Sequence, residues 1–196
     1  MLSDDFIDWW YTPWRYAIAP SPAAASEELI SQRDDYRNWC ARAAIASDLP
    51  QHFDPHWSGA ALSNADLLTQ SAALFMGLIA ARQPLNTQQE TFNVLPFDDR
   101  KWCLSLAATQ LLPAYAVDHP DNDDEPAIRG MAELAIRLDA GFPGLWSRLQ
   151  MTLQEAERAA VQLRVQNNWA DHEAITRTAT RSQRCWRLCL QRCRGA

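Results

Sequence analysis

Apolar side chains recur along most of this chain at the 3.6-residue spacing of helices that hide one face. The densest pattern runs from about Asn64 to Arg82, where Leu67, Leu68, Ser71, Leu74, Phe75, Leu78 and Ile79 leave only a thin polar face. That predicts the central helix of a core, stopped by Pro84. Upstream, Ser26 reads as the N-cap of a helix with Glu27 and Glu28 in its first turn. Leu29, Tyr36, Trp39, Cys40 and Ala43 form its stripe, and Leu49-Pro50 ends it. Downstream, Thr87 with Glu90 makes a capping-box pair for a short helix to about Val94. Asp98 reads as the cap of a helix over 99–112, with Trp102, Cys103, Leu106 and Leu111 inward and Pro113 closing it. Pro126 suits the first position of another, which Gly141 ends as a C-cap. A long helical pattern follows through Leu145, Trp146, Leu149, Leu153, Ala156, Ala160 and Leu163. Asn167-Asn168 marks a break, and a last helix runs to about Arg194.

The first 25 residues break this rhythm. Trp9, Trp10, Tyr11, Trp14 and Tyr16 stand among Pro13, Pro20 and Pro22, which predicts short turns laying rings on a neighbouring surface. The expected organisation is mainly α: a single compact multi-helix domain of about seven helices. Residues 1–25 form an irregular aromatic segment packed on the body, 26–167 the helical body, and 168–196 a basic amphipathic C-terminal helix. At 196 residues and 47% apolar, such a domain needs no disulfide or metal for stability. Asp4 and Asp5 stand where a secretory leader would carry bases, and the longest apolar stretch, Leu74 to Ala81, is far short of the ~20 residues of a span. Cys40, Cys103, Cys185, Cys189 and Cys193 are odd in number, which suggests reduced thiols and a cytoplasmic chain without membrane insertion.

Charge changes the picture at one end. Residues 1–176 hold all 24 acids and 12 of the 18 basic residues, whereas 177–196 hold six arginines and no acid. An acidic body argues against nucleic acid as its partner, while the basic helix suits an acidic protein surface.

Catalytic patterns are absent from the sequence. The six glycines are scattered with no phosphate loop, and Trp57-Ser58-Gly59 lacks the first glycine of a nucleophile elbow. The pairs Asp4-Asp5, Asp34-Asp35, Asp98-Asp99 and Asp123-Asp124 read as caps or solvated loops, because neighbours on a helix point about 100° apart. His52, Asp54 and His56 lie close, but Pro55 forbids the helical i, i+4 face that paired ligands exploit. The acidic stretch Asp118 to Glu125 lacks the glycine and glutamate of a calcium loop. No metal and no cofactor are expected.

Cys185, Trp186, Cys189, Leu190 and Cys193 fall within an arc of about 140° on the last helix, with Arg181, Arg184, Arg187 and Arg194 outside it. The thiols then pack against the body or a partner; the sharper reading is a thiol sensor or metal clip, since nearby arginines lower a thiol pKa. Trp9, Trp10 and Trp14 could complete the core or dock a partner. These three with Arg181, Arg184, Arg187 and Arg194 are the candidate protein-binding residues.

Three stretches resemble the small cytoplasmic accessory subunit of bacterial type III secretion systems, the SctK, YscK or HrpD type. Tyr11-Thr-Pro13-Trp-Arg-Tyr16 is similar to an early Pro-x-x-Tyr segment, and Leu74-Phe-Met-Gly77-Leu-Ile to a mid-chain apolar helix. Gly130-Met-Ala-Glu-Leu-Ala through Pro143-Gly-Leu-Trp146-Ser-Arg148-Leu149-Gln-Met-Thr-Leu153 is similar to a block written G-x-A…P-x-x-W-x-x-R-L-x-L-x-L. Many relatives place Pro after that last Leu, where this chain has Gln154. The resemblance implies a non-enzymatic adaptor of the sorting platform. Such a subunit bridges the inner-membrane ring protein's cytoplasmic domain and the pod protein, and offers no catalytic residues. The alternatives are a stand-alone secretion chaperone or regulator of one secreted protein and, from another class, a metal-dependent hydrolase.

Overall fold

The computed structural model describes residues 1–18, 29–83, 85–115, 125–166 and 172–195. They form α1 (Asp4–Tyr11), α2 (Leu29–Arg42), α3 (Ala65–Ala80), α4 (Leu85–Val94), α5 (Phe97–Ala107), α6 (Pro126–Gly141), α7 (Leu145–Leu149), α8 (Glu155–Gln166) and α9 (His172–Arg194). Short 3-10 turns at Pro13–Arg15, Pro55–Ala60 and Gln150–Thr152 join them, and no strand occurs among the described residues. The mainly α class is as expected.

The core is built on α3 and α6. Asn64 caps α3 by accepting the Leu67 N–H (3.1 Å), and every residue from Leu74 to Ala80 is buried. Gly130 explains how closely α6 lies: a Cβ there would sit 1.9 Å from the Ala72 carbonyl oxygen. Helix α9 completes this core, with Cys185, Trp186, Cys189 and Leu190 buried and Trp186 meeting Phe75 edge to face at 5.6 Å. The basic helix is therefore an integral layer of the domain, and its cysteines pack inward.

Buried arginines bind the layers together. Arg148, fully buried, lies over the Trp10 ring (3.7 Å) and donates to the Trp10 carbonyl (3.3 Å), the Tyr36 hydroxyl (2.8 Å) and the Ala46 carbonyl (2.9 Å). It clamps α1 and α2 to α7. Arg137 on α6 pairs with Glu133 one turn back and donates to Ser182 on α9 (3.1 Å) and the Pro113 carbonyl (2.6 Å).

Several expected boundaries move. The N-terminal segment is not irregular at its start: Ser3 accepts the Phe6 N–H (3.2 Å), Asp4 and Asp5 occupy the first turn, and a helix runs to Tyr11 before Pro13. Helix α2 ends at Arg42, with Ala44 in the left-handed region (φ 54°), well before Pro50. Helix α4 begins at Leu85, so Thr87 lies inside its first turn and not at a cap. Pro96, not Asp98, holds the cap position of α5, which stops at Ala107; Leu111 is half exposed and Leu112 is the buried residue. Gly141 is not a left-handed cap: it is the last residue of α6, and a Cβ there would meet the Trp57 ring nitrogen at 2.5 Å. The pattern over 145–163 is two helices, because the chain turns extended at Leu153 and Gln154 N–H donates to the Glu157 carboxylate (2.8 Å). The expected Ser26 cap, the acidic stretch through residue 124 and the Asn167-Asn168 break lie outside the described residues.

Candidate functional site

Two of the three candidate tryptophans belong to the core. Trp10 is fully buried, and Trp9 stacks on Tyr16 (4.8 Å) while its Nε1 donates to the Leu62 carbonyl (3.2 Å). Of the two readings open for Trp9 and Trp10, core or docking, the structure shows the core one: α1 turns both rings inward. Trp14 is half-buried and meets Tyr36 and Trp39 edge-on in a satellite cluster with Cys40 and Met151.

The arginines divide. Arg194 lines a shallow groove with Asp5, Asp8 and Arg15. Arg181, Arg184 and Arg187 are exposed elsewhere on α9. Arg181 donates to the Leu111 carbonyl (2.9 Å), and Arg192 pairs with Asp99 (3.0 Å). These two ties, 11 positions apart on α9 and 12 apart on the other strand of chain, set α9 antiparallel to the segment from α5 to Leu111. At 100° per residue, Arg177, Arg184 and Leu188 follow Arg181 around the same flank, with Arg187 beyond.

The segment beside that flank is unusually apolar outside. Of the eight large hydrophobic residues exposed among the described residues, four are Val94, Phe97, Leu104 and Leu111. Phe97, Lys101 and Leu104 share one face of α5, where Lys101 lies over the Phe97 ring (4.6 Å), and Leu111 is exposed past the helix end. By the same spacing Phe97 and Leu104 lie about 140–160° round α5 from Asp99, which meets α9, so the apolar residues and the arginines occupy different faces. Sequence reasoning found the arginines but missed the exposed apolar residues, because it carried α5 on to residue 112 and turned Leu111 inward.

The thiols carry no sensor signature. Burial pushes Cys185 up to about 11 and Cys103 up to about 12, and holds Cys189 well above its ordinary value. Arg181 and Arg184 pull Cys185 the other way, but burial wins.

A second feature opens at the start of α9. His52, Asp54, Trp57, Arg137 and His172 line a half-open cavity of about 270 Å³ with apolar walls that include Phe53 and Ile175. Asp54 caps the turn Pro55–Ala60 by accepting the His56 N–H (3.0 Å) and receives the Gln183 side-chain amide. Burial raises the Asp54 pKa, but the bonds from Gln183 and from the His56 backbone and ring outweigh it and hold the carboxyl below its usual range. His56 is exposed and does not line the cavity. Among the described residues, no three His, Cys, Asp or Glu side chains gather as a metal cluster. No helix is long and apolar enough to cross a membrane among the same residues.

Compared with family models, with curated proteins and with solved structures, the chain gives no match.

Proposed function

We propose that this chain is a non-catalytic adaptor of a bacterial type III secretion sorting platform, working at the cytoplasmic side between the inner-membrane ring protein and the pod protein. The observation that carries the adaptor role is the presence of two exposed features: the large apolar residues Val94, Phe97, Leu104 and Leu111 on and beside α5, and the arginines that α9 turns to solvent. Large apolar residues left in solvent and a face of one charge sign are the make-up of docking surfaces. The matching partner surfaces are an apolar helix face for α5 and an acidic surface for α9.

The family part of the reading rests on the residue patterns. Many of the residues behind them are packing residues here: Gly130 sits against Ala72, and Arg148, Leu149 and Leu153 are fully buried. A resemblance made of such positions speaks for a shared scaffold, and the role then comes from the surface. The test is co-purification with the ring protein's cytoplasmic domain and with the pod protein. Wild-type chain should retain both. Arg184→Glu with Arg187→Glu, or Phe97→Asp with Leu104→Asp, should lose one of them at least tenfold while the helical circular dichroism signal stays unchanged. Failure of the wild-type chain to hold either protein would end the proposal.

A further inference from the structure

The outer face of α5 carries a specific order of residues. Phe97 keeps 65% of its surface in water and Leu104 keeps 47%, and they stand seven positions apart, two turns along the helix. Lys101 lies between them on the same face, and Ser105 and Ala108 follow, all three exposed. Lys101, Leu104, Ser105 and Ala108 are spaced i, i+3, i+4 and i+7, the outline of a hole that receives one side chain from a facing helix. Two of its four borders are small, so a leucine-sized knob can enter. The face is held in place from behind: Cys103 and Ala107 are buried on the inner side, and the Cys103 Sγ donates to the Leu74 carbonyl of α3 (3.6 Å). Arg100 is taken up by the carbonyls of Leu95 (2.7 Å) and Asn93 (3.4 Å), which braces the turn between α4 and α5.

Charge decides what can cover this face. The Lys101 ammonium lies over the Phe97 ring (4.6 Å), and no carboxylate pairs with it among the described residues. A second copy of the chain is a poor occupant. A twofold contact uses the same patch on both sides. If Phe97 and Leu104 interleave with their copies, Lys101, which stands midway, comes against its own mate whether the two helices run parallel or antiparallel. Two ammonium groups would then share one apolar seam and repel. A different helix with a carboxylate at that midpoint turns the repulsion into attraction. The arginines of α9 take no part, since they occupy another side of the molecule.

We infer that the α5 face docks one amphipathic helix of another protein, with two large apolar residues seven positions apart and an Asp or Glu between them. One apolar residue packs beside Phe97, the other enters the hole bordered by Leu104 and Ala108, and the carboxylate meets Lys101. The 11 residues of α5 extend about 16 Å, so the site covers roughly three turns of the incoming helix. So small a contact belongs to the weak, exchangeable class of interface. The inference rests on the docking reading of α5 given above and supplies the chemistry of the element that docks there.

The probe is a fluorescein-labelled, alanine-based peptide of about 18 residues, long enough to be helical, with two leucines seven apart and a glutamate midway. A twin carries lysine in place of that glutamate. Titrated with the full-length chain, the glutamate peptide should show a saturable rise in anisotropy, and the lysine twin should bind about fivefold more weakly. Lys101→Glu should reverse that order, and Leu104→Asp should abolish binding of both peptides with the helical circular dichroism signal unchanged. No saturable binding at millimolar chain, equal affinity for the two peptides, or an unchanged order in Lys101→Glu each overturns the inference. A dimer in sedimentation that Leu104→Asp dissociates would give the face to a second copy and overturn it too. Co-purification with the ring and pod proteins reads the adaptor role separately. A chain that holds neither protein yet sorts the peptides by charge ends only that reading, and the converse ends only this one.

Discussion

Glu133 and Arg137 are both almost entirely buried, and their charges are tolerated only because every neighbour answers them. Glu133 accepts the Tyr115 backbone N–H (2.7 Å) as well as the guanidinium, and Arg137 stacks over Tyr115 (4.5 Å). Removing one partner strands the other. Arg137→Ala should therefore destabilise the chain by roughly 3–5 kcal/mol in urea unfolding. A double change to Arg137→Met with Glu133→Leu should recover only part of that, because the Tyr115 N–H then loses its acceptor. Asp54 supplies a pH handle at the same scale. Its folded pKa lies below its unfolded value, so its contribution is fully present above the unfolded pKa and fades as pH falls through the folded one. The stability gap between wild type and Asp54→Asn should be constant from neutral pH down to the unfolded carboxylate range near 4, then close as acid is added. A gap that widened in acid would refute the assignment.

Among the helices, the tightest constraint is the α3–α6 crossing. Gly130→Ala places a methyl group against the Ala72 carbonyl, where backbone and not a flexible side chain must yield. The expected loss is about 3 kcal/mol or more, with α6 displaced and the thermal midpoint lowered. Helix α9 makes its own prediction: in native buffer the buried Cys40, Cys103, Cys185 and Cys189 should resist a disulfide reagent, and only the half-buried Cys193 should react. Rapid labelling of three or more thiols without denaturant would contradict the packing. How much of this was legible beforehand varied with the strength of each signal. Helix α3 was readable because its apolar run is dense and its Asn64 cap and Pro84 stop flank it. Helix α1 was not legible because it is only two turns long and the prolines that follow it are a stronger local signal than the Ser3 cap and acids that start it. Arg148 resembles any surface cation in a sequence; its burial follows from Trp10, Tyr36 and Ala46, which are over 100 positions away. The cavity was illegible for the same reason, since His52 and His172 meet only in the folded chain.

For the molecule as a whole, the uneven charge of the sequence becomes a spatial fact. Inward, α9 contributes cysteine, tryptophan and leucine to the core; outward, it contributes arginine. Deleting it to test partner binding would unfold the domain, so only surface changes such as Arg184→Glu can separate docking from stability. Salt gives an independent check at this scale: if the arginines of α9 grip acids, affinity for the proposed partner should fall as ionic strength rises, and the Arg184→Glu, Arg187→Glu variant should lose most of that dependence. The Arg148 clamp has a kinetic corollary. It joins Trp10 to a helix 138 positions later and Tyr36 to one 112 positions later, so its bonds can close only after large loops have been drawn in. A chain of helices knotted by contacts that distant should refold on the timescale of mixed topologies, slower than a simple up-and-down bundle, and should come apart in one step when it fails.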